Sequence, residues 1–415
     1  MKPRLACVCV LALLALAPSA SAGPLGTQTR ISQNGAPRSA GDPSIAYDTQ
    51  QKRYLAVWAA NTGGSTARIY GRFLRGDGQP LGDHFTISNN GPPVGSDSTS
   101  DPFVAYNADS HQFLVVWHGS DGASAPCGTG IHIRGQRLSK SGARIGPHDF
   151  AISPPEQRCT RDPKVIYNPH PREYLVVWDT QGETAAEVGR VFGQRLDATG
   201  AAVGPRSFAI SEPSHLGTDT TVTLDPFKHQ YLVAWEDAHA IIGQRLGESG
   251  AKRSSNFEIG GAPDAVSASA TFNTALREFL VVWQSPDPTT DSLPSAIVGQ
   301  RLAESGQPVG TTAFPISDPA LFAKAPAVAY NPSNHRFVVV FHGTRNGKAL
   351  TTRTFGQELG TRGARIGPSF VLSHKGDDAE EARTLAWNPD GGEFLTAWAT
   401  LIKQTYTVFS RRISG

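Results

Sequence analysis

The chain is short of charge, of cysteine and of long hydrophobic runs. Only 18% of its 415 residues are charged, with 38 basic residues against 36 acidic, so it carries no basic face of the kind that binds nucleic acid or another general polyanion. Outside the first 22 residues, no segment approaches the roughly 20 apolar residues that a membrane-spanning helix needs. Four cysteines are too few for a disulfide-built scaffold. The sequence contains no Gly-x-Ser-x-Gly elbow, no His-Glu-x-x-His, no Gly-rich phosphate loop after a strand and no calcium-loop pattern, which removes the common motif-bearing hydrolases and nucleotide enzymes. No stretch shows a helical period.

What the chain does have is repetition. One copy reads Asp101-Pro-Phe-Val-Ala-Tyr-Asn, then Phe113-Leu-Val-Val-Trp117, Gly135-Gln-Arg-Leu138 and Phe150-Ala-Ile-Ser153. The next reads Asp162-Pro-Lys-Val-Ile-Tyr-Asn, Tyr174-Leu-Val-Val-Trp178, Gly193-Gln-Arg-Leu196 and Phe208-Ala-Ile-Ser211. The strand-ending aromatics recur at Trp58, Trp117, Trp178, Trp235, Trp283, Phe341 and Trp398. That makes seven consecutive units of similar length, each with four short β-rich runs parted by Gly, Pro, Asn or Asp. Four antiparallel strands per repeat form a propeller blade, so the expectation is an all-β, seven-bladed β-propeller.

In blade 3 the spacing predicts strand A over 164–167, B over 173–178, C over 189–196 and D over 207–210. The last unit ends without a Phe-x-Ile-Ser run, whereas residues 26–32, Gly-Thr-Gln-Thr-Arg-Ile-Ser, resemble the segment that closes blade 1. The N-terminal strand is therefore expected to complete blade 7 and to remove the open sheet edges. Burial between blades accounts for the repeated Trp residues, and Trp387 also reads as core because other blades have Tyr or Phe at its position.

Residues 1–22 have a basic start, an apolar stretch and an Ala20-Ser21-Ala22 ending, the pattern of a cleavable secretory signal. The mature chain, 23–415, then forms a single domain with 36 basic and 36 acidic residues, expected in the periplasm or outside the cell as a monomer without a membrane span. Cys127 and Cys159 remain in it. They fall in the B-to-C link of blade 2 and the D-to-A link into blade 3, which share a face, and an exported compartment favours a disulfide between them. Free thiols or a metal site are the alternatives.

Two sets of residues invite a functional reading. Asp42, Asp101, Asp162 and Asp219 open strand A in blades 1 to 4, where strand A lines the axial channel. They form either a ligand- or cation-binding ring or plain turn residues before Pro, with Val266, Pro326 and Glu381 as their expected counterparts in blades 5 to 7. Four equivalent carboxylates make a poor acid and base pair. His118 and His342 follow the strand-B aromatic at a position that is otherwise Ala59, Asp179, Glu236, Gln284 and Ala399. With His118 are expected His132, Arg158, Arg161 and Arg190, a group able to take a proton beside a sugar carboxylate. Long, variable links on this same face mark it as the working side.

The Tyr-Leu-Val-Val-Trp and Gly-Gln-Arg-Leu phrases resemble those of secreted bacterial β-propeller repeat proteins, a resemblance that implies fold and not activity. Propeller polysaccharide lyases are similar in architecture, secretion and the use of His with Arg. The expectation is an exported, non-catalytic recognition scaffold for a glycan or an extracellular protein, without nucleic acid and without a cofactor beyond a cation at the channel mouth. The alternative is a polysaccharide lyase or hydrolase on blades 2 and 3.

Overall fold

Seven four-stranded antiparallel sheets, joined in chain order, surround a central axis in the computed structural model. It describes residues 21–32, 39–61, 67–88, 101–120, 130–157, 159–181, 189–213, 217–238, 240–261, 265–286, 295–345, 352–376, 378–379 and 383–415. No helix occurs among them, and none is long and apolar enough to cross a membrane. The protein is a seven-bladed β-propeller. In each blade strand A is innermost and D outermost, as in blade 3: A Thr160–Asn168, B Glu173–Thr180, C Arg190–Asp197 and D Ala202–Ala209. Strands A and D are longer here than the spacing predicts, because A runs back through a bulge and D through a positive-φ glycine, Gly204.

Each phrase of the repeat has a physical reason. The Asn or Asp that ends strand A folds its side chain back onto the next amides. Asn107 Oδ1 accepts from Asp109 and Ser110 N at 3.0 Å each, and Asp48, Asp225, Asn273 and Asn388 do the same. The glycine of Gly-Gln-Arg leaves room for strand D: a Cβ at Gly135 would lie 2.9 Å from Ile152 and 3.0 Å from Phe150. The following Gln136 donates to the Arg137 and Ile145 carbonyls, tying C to D. The serine that closes every unit but the fourth, which has Gly260, accepts the amide of strand C, as Ser153 Oγ does from Ile133 N at 3.0 Å, Ser211 from Val191 and Ser317 from Ile297.

The N-terminal strand Pro24–Arg30 pairs antiparallel with Thr405–Ser414 and supplies the outer strand of blade 7. Its Ser32 accepts Val408 N at 3.0 Å, so the motif is completed by residues from opposite ends of the chain. Ala22, the last residue of the expected leader, is itself buried and donates its amide to Glu358 at 2.7 Å.

Hydrophobic burial is divided into seven clusters, each shared by two neighbouring blades. Trp58, Trp117, Trp178, Trp235, Trp283, Phe341 and Trp398 sit in them at 2% exposure or less, which is why the aromatic recurs. Trp387 departs from this pattern, half-buried on the wall of the axial channel.

Candidate functional site

The channel encloses about 530 Å³ and is walled by the A strands of all seven blades. At the end where the A strands begin, the A-to-B ladder skips. In blade 3, Arg161 pairs with Asp179 and Lys164 with Val177, so Asp162 and Pro163 together face the single residue Trp178. The same two-against-one bulge faces Trp58, Trp235, Trp283 and Phe341. The first residue of each of these five bulges has a positive φ, Asp42 (51°), Asp162 (47°), Asp219 (49°), Ser267 (56°) and Ala325 (49°), and so does Asp101 (35°) at the corresponding place in blade 2. Aspartate tolerates this left-handed conformation better than most residues, which accounts for its recurrence.

This register corrects the expected counterparts in blades 5 and 6 from Val266 and Pro326 to Ser267 and Ala325. Glu381 lies outside the described residues, as do Cys127 and Arg158. Ser267 and Ala325 bear no carboxylate, so the acids gather on one side of the mouth. Residues that follow the strand-B aromatic pair with the position just before the bulge, which brings Asp179, Glu236 and His342 to the same end.

The carboxyls are not equivalent. Asp101 and Asp162 share a hydrogen bond and are pushed in opposite directions. Burial, reinforced by the charges of Asp42 and Asp162, raises Asp101 well above the usual carboxylate range, although 21% of its side chain faces the channel. Burial also opposes ionisation of Asp162, but Lys164, Arg383 and the hydrogen bond from Asp101 outweigh it and hold the group below its ordinary value. Asp179 is raised by burial and by its neighbours Asp162 and Asp219, and Glu236 by burial and Asp219. The expectation of four equivalent acids therefore fails, because each blade supplies different neighbours.

Of the expected histidine and arginine group, the fold brings His118 and Arg161 to the mouth. His118 Nδ1 stands 3.4 Å from Asp101 Oδ2, and its side chain is only 2% exposed. Burial pushes its pKa down to about 4, Asp162 resists the shift, and Arg161 and Lys164 add to it. His342 is fully buried, lowered to about 3 mainly by burial, and its Nδ1 donates to the Ala379 carbonyl at 3.1 Å. His132 and Arg190 lie on C strands, one strand farther from the axis. Arg190 donates to the Ser211 carbonyl at 3.0 Å and spreads over Phe192.

Sequence reasoning missed Lys164 and Arg383, the cations that face these acids. Lys164 reaches over Phe103, 5.6 Å from the ring centre, and Arg383 Nη1 lies 3.2 Å from Asp219 Oδ1. The signal was register: Arg383 occupies the bulge position that is Pro43, Pro102 and Pro163 in other blades. Among the described residues, no three His, Cys, Asp or Glu are placed to hold a metal ion.

No known sequence family matches the chain, and no characterised protein matches it by sequence. Among solved structures it is similar to the hydrazine synthase of Kuenenia stuttgartiensis, at 11% identity over 92% of this chain and 97% of that one, with a TM-score of 0.55. A puromycin hydrolase gives 13% identity over 90% of this chain and 52% of that one, also at 0.55. The NanB sialidase of Streptococcus pneumoniae gives 8% over 94% and 70%, at 0.53. What they share with this chain is the fold. Propellers with enzymatic and with other roles are among its neighbours, for a Dos1 propeller aligns with a TM-score of 0.50.

Proposed function

We propose that the protein is a non-catalytic recognition propeller that takes its ligand on the face carrying the B-to-C and D-to-A links, with the carboxylate-rich channel mouth as the anchor. The observation that carries this reading is the convergence of Asp42, Asp101, Asp162 and Asp219, from four successive blades, on one end of an open channel beside Lys164 and Arg383. Mixed donors and acceptors on a rigid rim suit the binding of a polar group. Exposed aromatic platforms for sugar stacking are scarce: Phe227, the one aromatic among the exposed large hydrophobic residues described, lies in an A-to-B turn at the other end. This favours an extracellular protein partner over a glycan.

Export by the N-terminal leader, and a disulfide joining Cys127 to the fully buried Cys159, belong to the same proposal. Mass spectrometry of unreduced exported protein should find both thiols closed to alkylation. One readily alkylated thiol would remove the disulfide.

Hydrolysis has one observation in its favour, the oppositely tuned Asp101 and Asp162. Their hydrogen-bonded contact is closer than the roughly 5 to 9.5 Å between the carboxyls of glycosidases, so it would suit an acyl rather than a glycosidic bond. Lyase chemistry through His118 is disfavoured because the protein encloses its ring. The test is a panel of polysaccharides, peptides and esters assayed for both binding and turnover. Binding without turnover, lost in Asp162→Asn and Asp219→Asn, is the expected result; turnover lost in Asp101→Asn would replace recognition with hydrolysis.

A further inference from the structure

We propose that the leader is cut between Ser21 and Ala22, one residue ahead of the end that its sequence suggests, and that the new α-ammonium of Ala22 docks on Glu358 as a charged latch on the ring. The inference rests on the export reading above and fixes the processing site within it.

The first observation is a reversal of charge in blade 6. Where the Gly-Gln-Arg phrase of blades 2 to 5 carries Arg137, Arg195, Arg245 and Arg301, blade 6 reads Gly356-Gln357-Glu358. Three of those arginines reach forward to the C-to-D turn of the next blade and donate to a backbone carbonyl there: Arg137 to Ala198 and Arg195 to Ser249, both at 3.0 Å, and Arg245 to Glu304 at 3.1 Å. Blade 7 has no such turn, because its C and D strands are opposite ends of the chain. Ala22 and Gly23 take its place, with Gly23 N donating to Ser414 Oγ and Ser414 N to Gly23 O, each at 2.9 Å. At this seam a carbonyl is replaced by an N–H, and the arginine by a carboxylate that accepts from it.

The second observation is burial. Glu358 is 1% exposed; Arg336 Nη1 donates to its Oε1 at 2.8 Å and Ala22 N to its Oε2 at 2.7 Å. A buried carboxylate is costly unless its oxygens are matched, and an ammonium in place of the amide makes the second bond charge-assisted, roughly twice as strong. Ala22 is 8% exposed, in the apolar cluster of blades 6 and 7 that holds Ala327, Val338 and Leu372. Ser21, by contrast, is exposed.

The third observation is that the leader offers this frame. A cleavable leader ends in small residues at the first and third positions before the cut, and Ser19-Ala20-Ser21 meets that pattern as Ala20-Ser21-Ala22 does. The two frames deliver different chains. A cut after Ala22 discards the buried methyl and the nitrogen from which Glu358 accepts, whereas a cut after Ser21 keeps both and makes that nitrogen the chain's free amine. Hydrolysis consumes one water: the Ser21–Ala22 C–N bond breaks, the Ser21 carbonyl carbon gains an oxygen and leaves as the leader's carboxylate, and the Ala22 nitrogen keeps the bonding pair and is protonated to the ammonium.

The test is to secrete the full precursor, dimethylate the α-amine of the exported protein and identify its N-terminal peptide by mass spectrometry. Ala22 should carry the label. A chain that begins at Ser21 or Gly23 would overturn the inference and leave export standing; one that still carries residues 1–20 would overturn both. The latch is tested by melting Glu358→Gln, which keeps the size and loses the charge, in two backgrounds: the exported chain, and a chain made without export that retains residues 19–21, so that the Ala22 nitrogen is an amide. The melting temperature should fall further in the exported chain, by about 2 °C or more. An equal fall in both would show that no ammonium rests on Glu358. If Glu358→Gln folds poorly, Glu358→Asp, which draws the carboxylate back from Ala22, serves in its place, and the N-terminal peptide of the wild type decides the cut without any variant.

Discussion

The two ends of the axial channel are built on the same seven A strands, yet they carry different side chains: tyrosines at one end and carboxyls at the other. Where the strands end, each tyrosine hydroxyl finds a partner nearby. Tyr47 donates to Asp390 of blade 7 at 2.8 Å, Tyr106 hydrogen-bonds to Asp48 of blade 1, and Tyr167 donates to Asp109 of blade 2. These bonds lace blades 1, 2 and 3 each to the blade before it, Tyr330 of blade 6 bonds to His335 of its own turn, and the short A-to-B turns satisfy their own amides through Asn or Asp. Where the strands begin, Asp101, Asp162, Asp179 and Asp219 face one another, and Lys164 and Arg383 only partly offset them. The first end ties blades together, although buried atoms such as Asn107 Nδ2 and Trp387 Nε1 lack hydrogen-bond partners there among the described residues. The second keeps strained bulges and a crowd of differently tuned carboxyls, at the kind of position where strain and shifted pKa values gather for function.

The comparison breaks most severely if the ring opens. Deleting residues 24–30 removes the outer strand of blade 7 and exposes strand C of that blade along its whole length. We expect aggregation or a much lower melting temperature, at both ends alike, in a thermal melt with light scattering. A deletion that melts like the intact protein would show that neither end depends on closure.

Acid should distinguish the ends next. The folded pKa of His342 is about 3, below the unfolded value near 6.5, so protons favour the unfolded state. The contribution is complete above pH 6.5 and is lost as the pH falls from there toward 3, at roughly 1.4 kcal/mol per pH unit well below 6.5. Urea midpoints at pH 7.5 and 5.0 should differ less in His342→Asn than in the wild type. An unchanged difference would mean that this histidine is not held neutral.

Smaller effects separate the tyrosine end from the carboxyl end. Tyr167→Phe removes a bond between blades and should cost about 1 kcal/mol in urea unfolding. Asp101 meets Asp162 as a neutral acid that donates a hydrogen bond, and Asn offers an amide donor in its place, so Asp101→Asn should leave stability at pH 7 within about 0.5 kcal/mol. A loss of 2 kcal/mol there would make the carboxylate mouth structural.

Much of the fold could be read from the chain because the repeat is enforced locally. The glycine of Gly-Gln-Arg, the closing serine and the strand-ending Trp each answer to a contact within one blade or with its neighbour, and seven copies average out the exceptions. The site was read less well. Asp42, Asp101, Asp162 and Asp219 were visible as a pattern, but the bulge that adds a residue to strand A shifted the alignment of blades 5 to 7 and hid Arg383. His118 looked like a rim residue because it follows the strand, whereas the A strands and their bulges cover it.

By itself, the sequence determined the number of blades, their strand order, the closure by the N-terminal segment around residues 26–32 and the face on which the links vary, because these follow from period, turn chemistry and steric fit at short range. Only the tertiary structure decided which acids meet, which way each is tuned and where Arg383 lies. Those outcomes depend on side chains from blades 2, 3, 4 and 7 converging across a ring, at distances in space that no spacing along the chain encodes.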